Sequence, residues 1–186
     1  MKKMILLAFL TIGFSQDSIS LTMKAIKVGV DINSDYRVRY EGENQSIYLQ
    51  DPLSLGAEVN VNSNFDAGLE LLMESDLQLG TSSVSHISLY GLYKFYSDED
   101  ISIMPKFGFS TMNYNEDNDD SYYADDYDID SEGGIMFGIQ IEYKDMIHIS
   151  YTRHAGKYTK DYSPGRADEN YKSQTSRFNI SYAFNL

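Results

Sequence analysis

Apolar residues recur at every second position through most of this chain, and this alternation limits the folds that it can adopt. The C-terminal stretch RFNISYAFNL shows the pattern clearly. Apolar or aromatic side chains occupy one set of alternate positions (one parity), and small or polar side chains occupy the other set. A period of two indicates β-strands, and no helical period competes with it. Eight segments share the pattern, at about 24–40, 46–62, 65–73, 87–95, 101–109, 135–143, 147–151 and 178–186.

The connections between these segments alternate in length. Those at 62–64, 97–100 and 144–145 are short, whereas those at about 113–133 and 153–173 are long. This alternation is typical of an antiparallel up-and-down β-barrel whose two ends face different environments. The sequence therefore predicts an all-β, eight-stranded antiparallel up-and-down transmembrane β-barrel. Because proline has no N–H for a closed ladder, we expect a local bulge at Pro105.

The residues at the polar parity indicate which face of the strands points outward. Glycines and serines there suit a cramped interior, since eight strands enclose just enough room for side chains. Charges of both signs share this parity and must pair if they are buried. These predicted lumen charges are Glu58, Glu70, Lys94, Lys106, Glu142 and Arg177. The apolar face would then meet lipid, although a soluble lipocalin-like barrel with that face around a ligand remains an alternative.

Residues 1–15 have the features of a cleaved secretory signal peptide, which leaves 16–186 as the barrel domain. Lys2 and Lys3 precede an apolar run at 4–14 that is too short to span a bilayer as a helix. Cleavage would change the formal charge from −13 to −15, which argues against nucleic acid as a partner. The chain has no cysteine, so it has no disulfides and no thiol chemistry.

Taken together, the signal peptide, the eight segments and the closing strand resemble the small eight-stranded outer-membrane β-barrels of Gram-negative bacteria, the OmpA/OmpX-like transmembrane domains. The resemblance covers the mature chain and implies a monomer in the bacterial outer membrane, in contact with lipid and lipopolysaccharide. In that family the last strand is the signal for the barrel-assembly machinery. The matching residues are Phe178, Ile180, Tyr182 and Phe184, although the chain ends on Leu186 where family members commonly end on an aromatic residue.

The longest predicted connection is strongly acidic. Residues 113–134 hold nine acidic and no basic side chains, which suits a loop that binds divalent cations or a host or surface ligand. The weak metal candidates Asp126, Asp128 and Asp130 have the alternate spacing of a calcium loop. However, Ser131 replaces the turn glycine, and Phe137 replaces the closing glutamate. A solvated, self-repelling surface loop is therefore the preferred interpretation.

A His148-x-Ser150 pair raises one hypothesis of catalysis. It is similar to the pair with which outer-membrane lipid A deacylases hydrolyse acyl chains, although Tyr151 follows where that family tends to have asparagine. The strand parity places both side chains in the lumen, away from lipid, and a structural lumen histidine is favoured. His86 is interpreted in the same way. We therefore expect no evident catalysis and no cofactor, and a structural, surface-exposure or adhesion role. A lipid A-modifying hydrolase and a narrow channel are the alternatives.

Overall fold

The computed structural model describes residues 21–41, 43–50, 52–77, 82–116, 127–162 and 167–186. The predicted signal peptide lies outside these residues. The described residues form eleven strands in one antiparallel sheet. The strands are β1 (Thr22–Asp31), β2 (Asp35–Tyr40), β3 (Glu43–Tyr48), β4 (Leu53–Asn62), β5 (Phe65–Asp76), β6 (Ser82–Tyr93), β7 (Tyr96–Ser97), β8 (Ile101–Glu116), β9 (Tyr127–Tyr143), β10 (Ile147–Tyr162) and β11 (Glu169–Asn185).

The sheet closes into a barrel with eight strand positions. β1 pairs with β4 on one side and with β11 on the other, so the first and last strands complete the barrel. β1 and β2 together occupy one of these positions, with an interruption where Asn33 has a φ of 55°. β3 and β4 together occupy the next position. The predicted all-β fold of eight antiparallel strands is thus confirmed. Among the described residues, no helix is long and apolar enough to cross a membrane.

The outer face of the ring carries a continuous apolar belt. Leu89, near the middle of β6, is 60% exposed, and its neighbours across both ladders are Leu69 and Phe109, which are also exposed. Soluble proteins rarely expose contiguous apolar patches larger than a few hundred Å². A belt around a whole barrel is therefore a surface for lipid. The prediction that the apolar side of each strand faces outward is correct.

The two ends of the barrel differ. We call the end that carries Lys24 and Asn185 the terminal end, and the opposite end, with the β2–β3 hairpin, the extended end. β9 and β11 have 17 residues each, whereas a tilted membrane strand needs about 10. Within the predicted loops at 113–133 and 153–173, the residues at 113–116, 127–133, 153–162 and 169–173 are strand, which corrects the sequence interpretation for these parts. Their polar residues continue the ladders, as in the pair Thr159↔Asn170.

The local bulge expected at Pro105 is present on one side of β8 and absent on the other. Pro105 pairs with Ile139 of β9 without a shift of register. On its other side, the β6–β8 ladder ends at Lys106 and the β7–β8 ladder begins at Ile103. Between these ladders, the three residues 93–95 lie opposite Met104 and Pro105, so the register shifts by one residue and the expected bulge is confirmed. The missing N–H of Pro105 breaks no ladder hydrogen bond there.

A bulge also occurs near the start of β1. The register with β4 shifts between Met23 and Ala25, which breaks the alternation of the strand. Lys24 shares the parity of the lipid-facing Ile26, yet its ammonium group contacts carboxylates inside the barrel. A bulge re-aims side chains in this way, and one extra residue explains why Lys24 enters the lumen.

Interior glycines make room for one large aromatic ring. Tyr90 lies between Gly68 of β5 and Gly108 of β8 in the two ladders that flank β6. A Cβ atom on Gly68 would approach the Tyr90 ring to 2.4 Å, closer than real Cβ atoms come. The small residues of the inner parity therefore reflect a filled interior, as the sequence predicts.

We expect Gly68→Val to destabilise the barrel by about 1–3 kcal/mol, because overpacking would displace the Tyr90 ring. The displaced hydroxyl would also lose its 2.9 Å hydrogen bond to Glu58. Urea unfolding in detergent micelles measures the effect. Ala67→Val, on the neighbouring outward position, is the matched control and should leave stability within about 0.5 kcal/mol. Equal losses in the two variants would contradict the explanation.

Candidate functional site

A network of buried ion pairs crosses the middle of the lumen. The Arg177 guanidinium of β11 donates to Asp31 of β1 at 2.9 Å and to Glu70 of β5 at 2.6 Å. Lys106 of β8 reaches the other oxygen of Glu70 at 2.9 Å. Asn179 adds a 2.7 Å hydrogen bond to Asp31. Side chains from four separate strands thus meet at one level of the lumen.

A second layer lies nearer the terminal end. Lys27 donates to Glu58 at 2.5 Å, and Gln140 donates to the same Glu58 oxygen at 3.1 Å. Lys24 donates to Glu142 at 2.7 Å and to Asp66 at 2.8 Å. Between the two layers, the Lys106 ammonium stands 3.9 Å from the centre of the Tyr90 ring, a cation–π contact.

The charges of these layers balance. The paired acids are Asp31, Glu58, Asp66, Glu70 and Glu142, and the paired bases are Lys24, Lys27, Lys94, Lys106 and Arg177. Of the six predicted lumen charges, Lys94 is partly exposed, with 23% of its side chain accessible, and lies 3.5 Å from Asp66. The other five are buried and each contacts an opposite charge: Glu58, Glu70, Lys106, Glu142 and Arg177. Four further members were missed. Lys27, Asp31 and Asp66 have the inward parity and could have been found from it, whereas Lys24 depends on the bulge.

Above the ion pairs, the interior becomes apolar and aromatic. His86 and His154 lie with ring centres 5.1 Å apart, and His86 Nε2 is 2.9 Å from the Thr175 hydroxyl. Towards the extended end a buried cluster follows, with members Tyr36, Leu49, Leu77, Val84, Met112, Tyr114 and Tyr158. The interior of this half is therefore not lined by small polar residues, contrary to the expectation for the inner parity.

A cavity opens in this cluster at the extended end, with a volume of about 380 Å³. Three tyrosine rings from three strands stack beside it. Tyr158 lies 4.3 Å from Tyr114 and 4.6 Å from Tyr171, centre to centre, with nearly parallel planes. The pocket offers flat aromatic faces together with polar groups from Glu43, Gln45, Ser82, Glu116 and Lys160. We call it the tyrosine pocket.

Charged groups line one side of the tyrosine pocket. Lys160 of β10 forms a 2.7 Å ion pair with Glu116 and stands 4.5 Å from the centre of the Tyr127 ring. Burial alone would lower the pKa of Lys160, but Glu116 and the Tyr127 hydroxyl outweigh it and hold the pKa above its ordinary value. Lys160 therefore stays charged at neutral pH and fixes one side of the pocket.

His148 and Ser150 lie in the lumen, both buried, on the face that the parity predicts. His148 Nδ1 is 3.2 Å from the amide nitrogen of Gln140. In the part of the chain that the structure describes, no hydrogen bond joins His148 to Ser150. The pair therefore lacks the contact between base and nucleophile that acyl hydrolysis needs. The surroundings of His148 are two carboxylates, Glu58 and Glu142.

The remaining predicted residues lie on the outside of the barrel. Asp128 and Asp130 belong to β9 and are exposed, rather than forming a loop, while Asp126 is outside the described residues. Residues two apart on one strand face are about 6.6 Å apart, too far to share an ion in the manner of a calcium loop. The proposed assembly residues Phe178, Ile180, Tyr182 and Phe184 share the lipid-facing side of β11, which pairs with β1.

Comparisons with solved structures identify barrels of the same kind. The crystal structure of the outer membrane protein OprG from Pseudomonas aeruginosa matches with a TM-score of 0.50 at 9% identity, over 92% of this chain and 99% of that one. The solid-state NMR structure of outer membrane protein AlkL in lipid bilayers matches with a TM-score of 0.51 at 15% identity, over 93% and 96%. No family model and no curated protein matches the sequence. At these identities the likeness establishes the fold.

Proposed function

We propose that this chain, which has the fold of the small eight-stranded outer-membrane β-barrels, is a surface-exposed protein of the bacterial outer membrane with a lumen closed to ions. Its terminal end faces the periplasm, and its extended end projects beyond lipopolysaccharide. Its role is structural and adhesive, exercised through the extended end. The barrel reaches the membrane through a cleaved signal peptide and the assembly machinery.

The observation that carries this proposal is the bridge of buried ion pairs across the lumen. Arg177, Glu70 and Lys106 form a continuous buried bridge across the barrel, and each charge has its partner. Moving this bridge aside would expose buried charges without partners, which costs several kcal/mol. A constitutive ion channel is therefore disfavoured, and recognition belongs to the surfaces at the ends.

The tyrosine pocket favours a more specific form of this role, the binding of a small ligand at the outer mouth. Its stacked rings would bind an apolar or planar face of the ligand, and Lys160, Glu116 and Glu43 would bind the polar edge. The same geometry would suit a terminal group of a surface glycan or of a host molecule. Binding of such a group would attach the cell to the surface that carries it.

In planar lipid bilayers we expect the purified barrel to give no stable conductance, while a general porin in the same bilayers does. Surface exposure is tested in the same study with two epitope insertions. One follows Asp120, in the connection between β8 and β9, and its matched control follows Asp145, in the turn between β9 and β10. Intact cells should bind antibody only at the first site. Stable conductance, or labelling of intact cells at the second site, would contradict the proposal.

The hydrolase alternative has less support, because His148 and Ser150 are buried among charged side chains and are not hydrogen-bonded to each other. Ser150→Ala should therefore leave the acylation of lipid A unchanged. A soluble ligand-binding barrel would have its apolar face inside. The apolar belt of this barrel faces outward around the ring, which disfavours that alternative.

A further inference from the structure

Three potential metal ligands converge in the terminal half of the lumen, on β4, β9 and β10. Glu58, Glu142 and His148 each present a donor atom, and these atoms lie within 4.8 Å of one another. Nδ1 of His148 is 3.8 Å from Glu58 Oε2 and 3.7 Å from Glu142 Oε1. In the part of the barrel that the structure describes, no other group of histidines, cysteines and carboxylates meets this criterion.

One donor of this group lacks a hydrogen bond. Glu58 is fully buried, and its Oε1 accepts from Lys27, Tyr90 and Gln140. Its Oε2 is buried without a hydrogen-bond partner and points towards the gap between His148 and Glu142. A buried carboxylate oxygen without a hydrogen-bond donor is costly, so direct contact with a donor or a metal ion would stabilise this atom.

The gap is occupied by a tethered cation, the ammonium group of Lys24. Lys24 Nζ lies 2.7 Å from Glu142 Oε1 and 3.8 Å from Glu58 Oε2. Its side chain is 11% exposed, whereas those of Glu58 and Glu142 are at most 2% exposed, so Lys24 has a path towards the solvent at the terminal end. If Lys24 swings out, three carboxylates face only Lys27 and Lys94, and the site gains a net charge of −1.

We propose that Glu58, Glu142 and His148 form a binding site for a divalent transition-metal ion, which enters from the terminal end and displaces the ammonium group of Lys24. Two carboxylate oxygens and one imidazole nitrogen make a donor set suited to Zn²⁺, which takes three protein ligands and leaves its fourth position to water. Bonds of about 2.1 Å at tetrahedral angles separate the donors by about 3.4 Å. The two separations that involve His148 need close by only about a few tenths of an ångström, whereas the two carboxylate oxygens, which lie within 4.8 Å of each other, can approach by rotation of their side chains.

Gln140 already contacts all three donor residues. Gln140 donates to Glu58 at 3.1 Å and to Glu142 at 3.0 Å, and it also approaches His148 Nδ1. For metal to bind, this last contact must give way, since Nδ1 is the ligating atom. The remaining bonds to the two carboxylates orient them, as outer-shell partners do at metal sites.

The test is titration of the refolded, chelator-treated barrel with Co²⁺ followed by visible absorption, and with Zn²⁺ by calorimetry. We expect one equivalent to bind to the wild-type protein. Lys24→Met removes the competing ammonium and should tighten binding by about tenfold or more, whereas His148→Gln should weaken it by about the same factor. Asp128→Asn with Asp130→Asn tests the acidic segment at the other end and should leave binding unchanged.

Heat-modifiable gel mobility verifies that each variant is folded. If His148→Gln does not fold, the Lys24→Met variant decides, since tighter binding supports the lumen site and unchanged binding overturns it. Absence of binding in both the wild-type protein and Lys24→Met would also overturn the proposal, as would loss of binding in the Asp128/Asp130 variant alone. None of these outcomes bears on conductance or surface exposure, so the proposed function stands or falls separately.

Discussion

Arg177→Met should destabilise the barrel by about 3–5 kcal/mol, a large share of the stability of a small domain. The reason is that Asp31 and Glu70 would stay buried when the guanidinium that both accept from is removed. Asp31 would retain only hydrogen bonds from uncharged groups, among them Asn179. Urea unfolding in micelles, followed by gel mobility, measures the loss.

Arg37→Met is the matched control for this change. The Arg37 side chain is 56% exposed and pairs with Asp35 on the outside of β2, so its loss should cost less than about 1 kcal/mol. A second variant, Arg177→Met with Asp31→Asn, should recover part of the stability, because it removes one of the uncompensated charges. Similar losses for Arg177→Met and Arg37→Met would show that the central bridge contributes little.

Leu89→Arg should cost about 2–4 kcal/mol, because an arginine at the midplane of a lipid-facing strand loses hydration that lipid cannot replace. Leu89 is 60% exposed at the centre of the apolar belt. If the belt faced water, the same change would be nearly neutral, within about 0.5 kcal/mol. The variant therefore separates a lipid-facing surface from a water-facing one. The measurement is unfolding in phospholipid vesicles rather than in micelles.

Asn44→Arg provides the comparison for the Leu89 variant. Asn44 is exposed in β3 at the extended end, beyond the apolar belt. Arginine there remains in water and should leave stability unchanged within error. If Asn44→Arg were as costly as Leu89→Arg, the arginine side chain itself would be the cause, and the depth of the position in the membrane would not be.

The sequence predicted the wall of the barrel well, because the wall follows a local rule. Each strand alternates between lipid and lumen, so parity alone assigned Glu58, Lys106 and Arg177 to the interior. The length of the strands escaped prediction, since β8 to β11 continue past the lipid on polar and tyrosine residues that carry no apolar alternation. Pairing across the ladder, rather than contact with lipid, holds these parts together.

The candidate sites escaped prediction for a different reason. The tyrosine pocket joins Tyr114, Tyr158 and Tyr171, and the metal ligands come from three strands, so neither set has a spacing in sequence that reveals it. Only the register brings these residues to one level. The inward orientation of Lys24 could not be predicted from alternation, because a one-residue bulge reverses the direction that alternation assigns to its side chain.

The pairing that closes the ring has a consequence for how the protein can be made. Ala25 pairs with Asn185, so the first strand must wait for a partner 160 positions later in the chain. Contacts between such distant residues slow folding, since the entropy of closing the loop is lost before any closing contact forms. Until then β1 presents an open edge that could pair with another molecule. The excess of acidic over basic side chains gives every copy of the chain the same sign of charge, and the resulting repulsion opposes such pairing between copies.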